Sequence, residues 1–299
     1  MTAIINGPYA GRPGAFWLNR FLKLFPVYYV VAVATLMAIL VAPIHAVTFT
    51  EAWRLSWSWP TIVAELTVVP LAFDEFDWRL ISPVWSVAVE LVNYAIIFAI
   101  TARGWKWMAT VLLIAFAYQL GCVVEYGFDV HPRYTTWYAG VAPFSIGAAT
   151  YYIATRVRVP AWLGAAAFVA WCANLAIADE AGNRYLFGVV LWYDNIVLSA
   201  AIVMAMAPLR SGEAAMRLDR FVGDLAYPIF LVHLLIAFVV TQLFPDVRGQ
   251  SQPLFALLCA PLVLVISVAL AQVARLMLEP ARDRVRKGDR AAELELATI

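Results

Sequence analysis

Glu90 stands inside the run SPVWSVAVELVNY (82–94), where Ser82, Ser86 and Glu90 follow at intervals of four and Asn93 and Tyr94 continue the row. On a helix that spacing gathers them on one face. A carboxylate there can orient or deprotonate a hydroxyl; the plainer reading is a structural acid tied to a neighbouring helix. His233, in GDLAYPIFLVHLLIAF (223–238), is the side chain best suited to take a hydroxyl proton near neutral pH. A lone histidine on an apolar helix also serves as a hydrogen-bonded packing residue. Arg20 and Lys23, three apart in FWLNRFLKLFPVYYV (16–30), share a face. They are either snorkelling anchors or a clamp for the phosphates of a nucleotide-bearing donor. Asp194 and Asn195 lie in LWYDNIVL, where the acid pairs with His233, caps a watery cavity or is protonated.

These polar residues are set in a chain that is 64% hydrophobic and 14% charged, with a mean hydropathy of +0.79. That charged fraction is about half of a soluble domain's. The expected fold is all-α, a polytopic bundle of membrane helices. Apolar runs of membrane length fall at 21–42, 84–102, 107–124, 135–154, 161–178, 185–207, 224–244 and 254–278, eight in all. A ninth, 59–73, is short, carries Glu65 and is bounded by Pro60 and Pro70, which marks a re-entrant or interfacial segment. Pro83 suits the first turn of the helix holding Glu90, and Pro26 can kink the helix holding Lys23. Cys122, Cys172 and Cys259 sit in or beside apolar runs without metal or disulfide spacing and read as packing thiols. His45 and His131 fall in loops, as does the mixed stretch Asp74, Glu75, Asp77, Trp78 and Arg79, which either touches a sugar-like acceptor or is solvated.

With eight spans and a cytoplasmic amino end, sixteen Lys and Arg fall inside and five outside, as the positive-inside rule requires. Both ends are then cytoplasmic, and the stretch after Pro280 lies at the headgroups. Glu90 comes about 10 Å below the outer side and His233 about 14 Å above the inner side of a core about 30 Å thick, so upright helices bring them within about 6 Å along the membrane normal. Residues 1–287 read as one membrane domain and 288–299 as a cytoplasmic tail. The net charge of +1 says nothing about partners, and nucleic acid is not expected among them. A transporter or flippase also needs intramembrane acids, but no repeated halves or paired broken helices are present.

The run WSVAVELVNY resembles the WSLSVEWQFY signature of the acyltransferase 3 family of integral membrane O-acyltransferases, with Trp85, Ser86, Val89, Glu90 and Tyr94 at matching positions. Arg20, Lys23, Pro26 and Tyr28 resemble the basic RRxxRixPxY stretch, although Asn19 replaces its first arginine. Tyr227 and His233 match the ISYxxYLxH helix, and Glu279, Pro280 and Arg282 match the exit of the last helix. The four motifs occur in family order. The resemblance implies transfer of an acyl group, commonly acetyl, from a cytoplasmic acyl-CoA to a hydroxyl of a surface polysaccharide, peptidoglycan, lipid or small metabolite. No permanently bound cofactor is implied, and the expected location is the bacterial inner membrane. Arg20 and Lys23 would then hold the donor. Glu90 and His233 would serve the acceptor hydroxyl, and Trp85, Ser86, Tyr94, Asp194 and Tyr227 would line the passage. The family has ten helices, the first bearing an arginine and a histidine. Eight are visible here, and residues 1–15 cannot replace that pair. The expectation is therefore a start assigned too late, a fragment, or an inactive remnant.

Overall fold

A computed structural model describes residues 1–287 apart from 74, 75, 77, 128, 130, 181–185, 207–211 and 251. Side chains at 131, 178–180, 186–189, 214–215, 248–250 and 287 are also outside the described set. The three acids of the mixed loop, the His131 side chain and the 288–299 tail thus lie outside the described residues, as do Arg184, Arg210 and Arg290 from the charge count.

Every regular element among the described residues is helical. Each of the eight runs falls on an apolar helix, with boundaries that differ by up to eleven residues. The helices are α1 Pro13–Val41, α2 Trp85–Ala99, α3 Trp105–Tyr126, α4 Val141–Ala154, α5 Ala161–Glu180, α6 Leu186–Met206, α7 Glu213–Leu243 and α8 Gln252–Lys287. Among the described residues, five are long and apolar enough to cross a membrane: α1, α2 with its flanking turns (Ser82–Arg103), α3, α7 and α8. Val141–Ala154, Ala161–Ile177 and Val190–Met206 are shorter apolar helices. Residues 135–140, expected to open the fourth span, form turns. The large apolar side chains left exposed, among them Val33, Met37, Leu113, Ile114, Leu257 and Val265, suit a lipid-facing surface.

Local sequence explains the boundaries. Pro13 fits the first turn of α1, where its missing N–H is harmless. Gly104 (φ 144°) precedes α3 and Gly127 (φ 58°) ends it, in backbone regions that side chains avoid. Pro83 lies in a 3₁₀ turn, Ser82–Val84, just ahead of α2. The segment at 59–73 is no span. It forms a nine-residue helix, Trp59–Thr67, about 13 Å long against a core of about 30 Å. Ser58 caps it by accepting the Thr61 N–H at 3.4 Å. Val68, buried and at φ 64°, stops it; that region is strained for a β-branched residue.

Contacts divide the chain into two compact units, Met1–Gly7 with Ala88–Arg210, and Pro8–Val87 with Ser211–Ile299. In the first, α5 packs on α6, α3 on α4, and α4 on α6. Gln119, buried on α3, donates to Ala139 O at 3.2 Å and accepts from Tyr193 Oη on α6 at 2.7 Å. In the second, α1, α7 and α8 pack on one another. The Trp59–Thr67 helix is fastened to α1 by Tyr28, whose hydroxyl donates to Glu65 O at 2.7 Å, and by Tyr29, which donates to Leu66 O at 2.7 Å.

Candidate functional site

The basic end of the second unit is built where α1, α7 and α8 meet. Lys23 and Val27 from α1, Asp224 and Tyr227 from α7, and Arg275 and Arg282 from α8 line a cavity of about 50 Å³. A second cavity of about 110 Å³ adds Arg217, Arg220 and Phe221, and shares Asp224, Ala271 and Arg275 with the first. Together they make a crease with five cations against Asp224 and Glu279. Lys23 and Tyr227, which belong to different motifs 204 positions apart, thus face one space. Arg20 is buried beside it, its guanidinium carbon 5.5 Å over the Phe16 ring.

Asn19, the departure from the basic stretch, has a counterpart. It is 3% exposed, and its Oδ1 accepts from Arg282 Nε at 3.1 Å. A second arginine at 19 would face that guanidinium and repel it; the amide accepts from it instead. Arg282 also donates to Glu279 at 2.6 Å, and Glu279 takes a further bond from Arg286. Arg12 donates to the carbonyls of Val285 and Arg286 at 3.2 and 3.4 Å, capping the last turn of α8.

The signature residues are distributed. Trp85 and Ser86 fall in the second unit, where Ser86 Oγ donates to Pro83 O at 3.0 Å. Glu90, half-buried, and Tyr94, buried with its ring 6.0 Å from Phe144, fall in the first. Asn93, one residue from Tyr94, is 1% exposed and donates to Val89 O and Trp137 O at 2.9 and 3.1 Å. The backbone of Gly140 comes so near that an added Cβ would stand 2.8 Å from Asn93 Nδ2 and 2.9 Å from Val89 Cγ1. Asp194 is exposed on α6 and accepts from Asn174 at 2.5 Å, and the same amide donates to Asn195 at 3.2 Å. His233 is exposed on α7, with Nδ1 2.7 Å from the Phe230 carbonyl of its own helix. His45 is not in a loop but on the short helix Pro43–Phe49, where it lines a cavity of about 340 Å³ with Thr241 and Gln242.

Glu65 is the residue that sequence reasoning underrated. It is 5% exposed, Oε2 accepts from Tyr28 Oη at 3.1 Å and from the Leu80 N–H at 3.3 Å, and Oε1 has no partner among the described residues. Burial pushes its carboxyl up to about 7, against the opposing pull of Tyr28, Leu80 and Arg79. The available signal was an acid inside a proline-bounded apolar segment, with a motif tyrosine to receive it.

A family model described as an acyltransferase domain matches residues 12–272. This chain belongs to the acyltransferase 3 family. It is accordingly a multi-pass membrane protein of a transferase family. No curated protein and no solved structure matches it. In this member of the family Lys23, Glu90, Tyr227 and His233 fall within the matched stretch, whereas Arg275, Glu279 and Arg282, which complete the basic crease, lie beyond it.

Proposed function

We propose that this acyltransferase moves an acyl group, acetyl in the first instance, from a cytoplasmic acyl-CoA to a hydroxyl of an extracytoplasmic or membrane acceptor such as a surface polysaccharide. The observation that carries the reading is the crease that joins Lys23 to Tyr227, Arg275 and Arg282, in a chain of this family. Its cations suit the donor's phosphates through charge-assisted bonds. Arg282 supplies the guanidinium that Asn19 does not, and Arg20 backs the clamp from its buried position. The excess of Lys and Arg at this end supports a cytoplasmic placement for it. Asp224 and Thr241 are seventeen residues apart on α7, about 26 Å, so the cavity of His45, Thr241 and Gln242 opens toward the other face.

In the transfer, the acceptor oxygen attacks the thioester carbonyl; a C–O bond forms and the C–S bond breaks. The hydroxyl proton passes to Glu90 or His233 and leaves on the thiol of CoA. Within the second unit this reading assigns Trp85, Ser86 and Tyr227 to contact with the substrates, and within the first unit Tyr94 and Asp194. Membranes carrying the full chain and given labelled acetyl-CoA should accumulate label in a non-protein acceptor. Lys23→Ala and Arg275→Ala should raise the donor KM about tenfold or more with kcat less affected, as loss of uniform binding does. Transfer that is indifferent to both substitutions, or acceptor flux without any acyl donor, would remove this reading.

A further inference from the structure

Ahead of α1, the segment Pro8–Arg12 carries a second feature that the family match does not explain, since Tyr9 precedes the matched stretch and Glu279 to Arg286 follow it. Tyr9 is 1% exposed, and its hydroxyl is buried without a hydrogen-bond partner among the described residues. Its ring stands edge-on to Phe16 at 5.8 Å, the same ring that carries the Arg20 guanidinium. Burial pushes the phenol up, and the guanidiniums of Arg286, Arg20, Arg282 and Arg12 pull the other way. Arg20 shares the Phe16 ring with Tyr9, Arg12 holds the carbonyls of Val285 and Arg286, and Arg282 and Arg286 share Glu279, so four guanidiniums gather at this end of α1 and α8 with Glu279 and Asp283 as counter-charges. The formal balance is two positive charges in excess. Arg286 Nε is likewise buried and without a partner. Every one of these orphaned groups is a donor, and what the cluster lacks is acceptors. A buried donor left unmade costs about 1–3 kcal/mol, which an entering oxyanion removes.

We infer that Tyr9, Arg12, Arg20, Arg282 and Arg286 form a site for a phosphate monoester dianion. Two negative charges match the excess, and three terminal oxygens supply the missing acceptors. Each arginine has five N–H donors, so Arg282 and Arg286 serve the phosphate while keeping Glu279. Two sources offer this chemistry at the membrane face. One is the ribose 3′-phosphate of CoA, a source that rests on the donor reading above. The other is the phosphomonoester headgroup of a lipid such as phosphatidic acid.

The test uses the full chain in nanodiscs of phosphatidylcholine. Calorimetric titration compares CoA with dephospho-CoA, which lacks only the 3′-phosphate. A nucleotide source predicts CoA binding tighter by about tenfold or more, the worth of one charge-assisted contact. Tyr9→Phe and Arg286→Gln should shrink that ratio toward one while leaving dephospho-CoA affinity unchanged, which also reports an intact fold. A second arm compares discs doped with phosphatidic acid and with phosphatidylglycerol, a diester. Thermal stabilisation by phosphatidic acid alone, lost in Tyr9→Phe, supports the site with lipid as its source. Equal binding of CoA and dephospho-CoA together with equal stabilisation by the two lipids overturns the inference, as do preferences that survive both substitutions. If neither CoA nor dephospho-CoA binds, the donor reading fails while the lipid arm still decides the phosphate site.

Discussion

Glu65 makes the second unit sensitive to pH in a calculable way. Its carboxyl is raised from an ordinary 4.5 to about 7 because it is buried on the Trp59–Thr67 helix. Between those values the folded chain holds a proton that the unfolded chain has released. Stability therefore falls as pH rises through that window and levels off above about 7. At 1.36 kcal/mol per pH unit the full change is about 3 kcal/mol. Glu65→Gln removes the titration and keeps an oxygen for Tyr28 Oη and the Leu80 N–H. Its new amide donors add a penalty that does not vary with pH, so comparing pH profiles cancels it. Detergent-solubilised wild type and variant would be unfolded thermally at pH 5 and pH 8. The interval opens half a unit inside the window, so the wild type should lose about 2.5 kcal/mol more than the variant across it, roughly 5–10 °C in Tm by the scaling for domains of 150–250 residues. Parallel profiles for the two proteins would show that Glu65 is ionised in the fold and that its burial has been overstated.

Further outcomes follow from other contacts. Gly140→Ala should destabilise the first unit by about 1–3 kcal/mol through overpacking against Asn93 and Val89, and Asn93→Ala in the same chain should recover part of it, measured by thermal unfolding. Glu90→Gln or His233→Ala should lower kcat about 10²–10⁴-fold if that side chain carries the hydroxyl proton, with donor binding preserved in titration; full activity in both excludes the pair. Arg12→Ala uncaps the carbonyls of Val285 and Arg286, and hydrogen exchange should then quicken in the last turn of α8 with α1 unaffected.

The membrane helices were legible because apolar runs of span length leave few alternatives in lipid, and the proline-bounded 59–73 segment was too short to be one. Residues 135–140 misled because Thr135 to Gly140 carry no charge and run straight into the apolar helix, so composition alone does not mark where the turns end. The basic stretch was visible as spacing, but its completion was not. Asn19 and Arg282 are 263 positions apart, and only folding reveals that the missing arginine of one motif faces the arginine of another. Tyr9 was hidden for a similar reason, since a tyrosine in a Gly/Pro-rich lead-in shows no periodicity and takes its meaning from α8. Glu65 was seen as an acid in an apolar setting, yet its burial depends on Tyr28 and on the loop that brings Leu80 back.

The second unit is discontinuous in the chain, with the whole of Ala88–Arg210 emerging between its two parts. At ribosomal speeds of about 5–20 residues per second, those 123 residues take about 6–25 s to synthesise. During that interval the nascent α1 waits in the bilayer without α7 and α8, its Arg20 not yet enclosed. Insertion factors that shelter a half-made basic helix therefore have seconds in which to act, and a pause in translation within the first unit would lengthen the exposure.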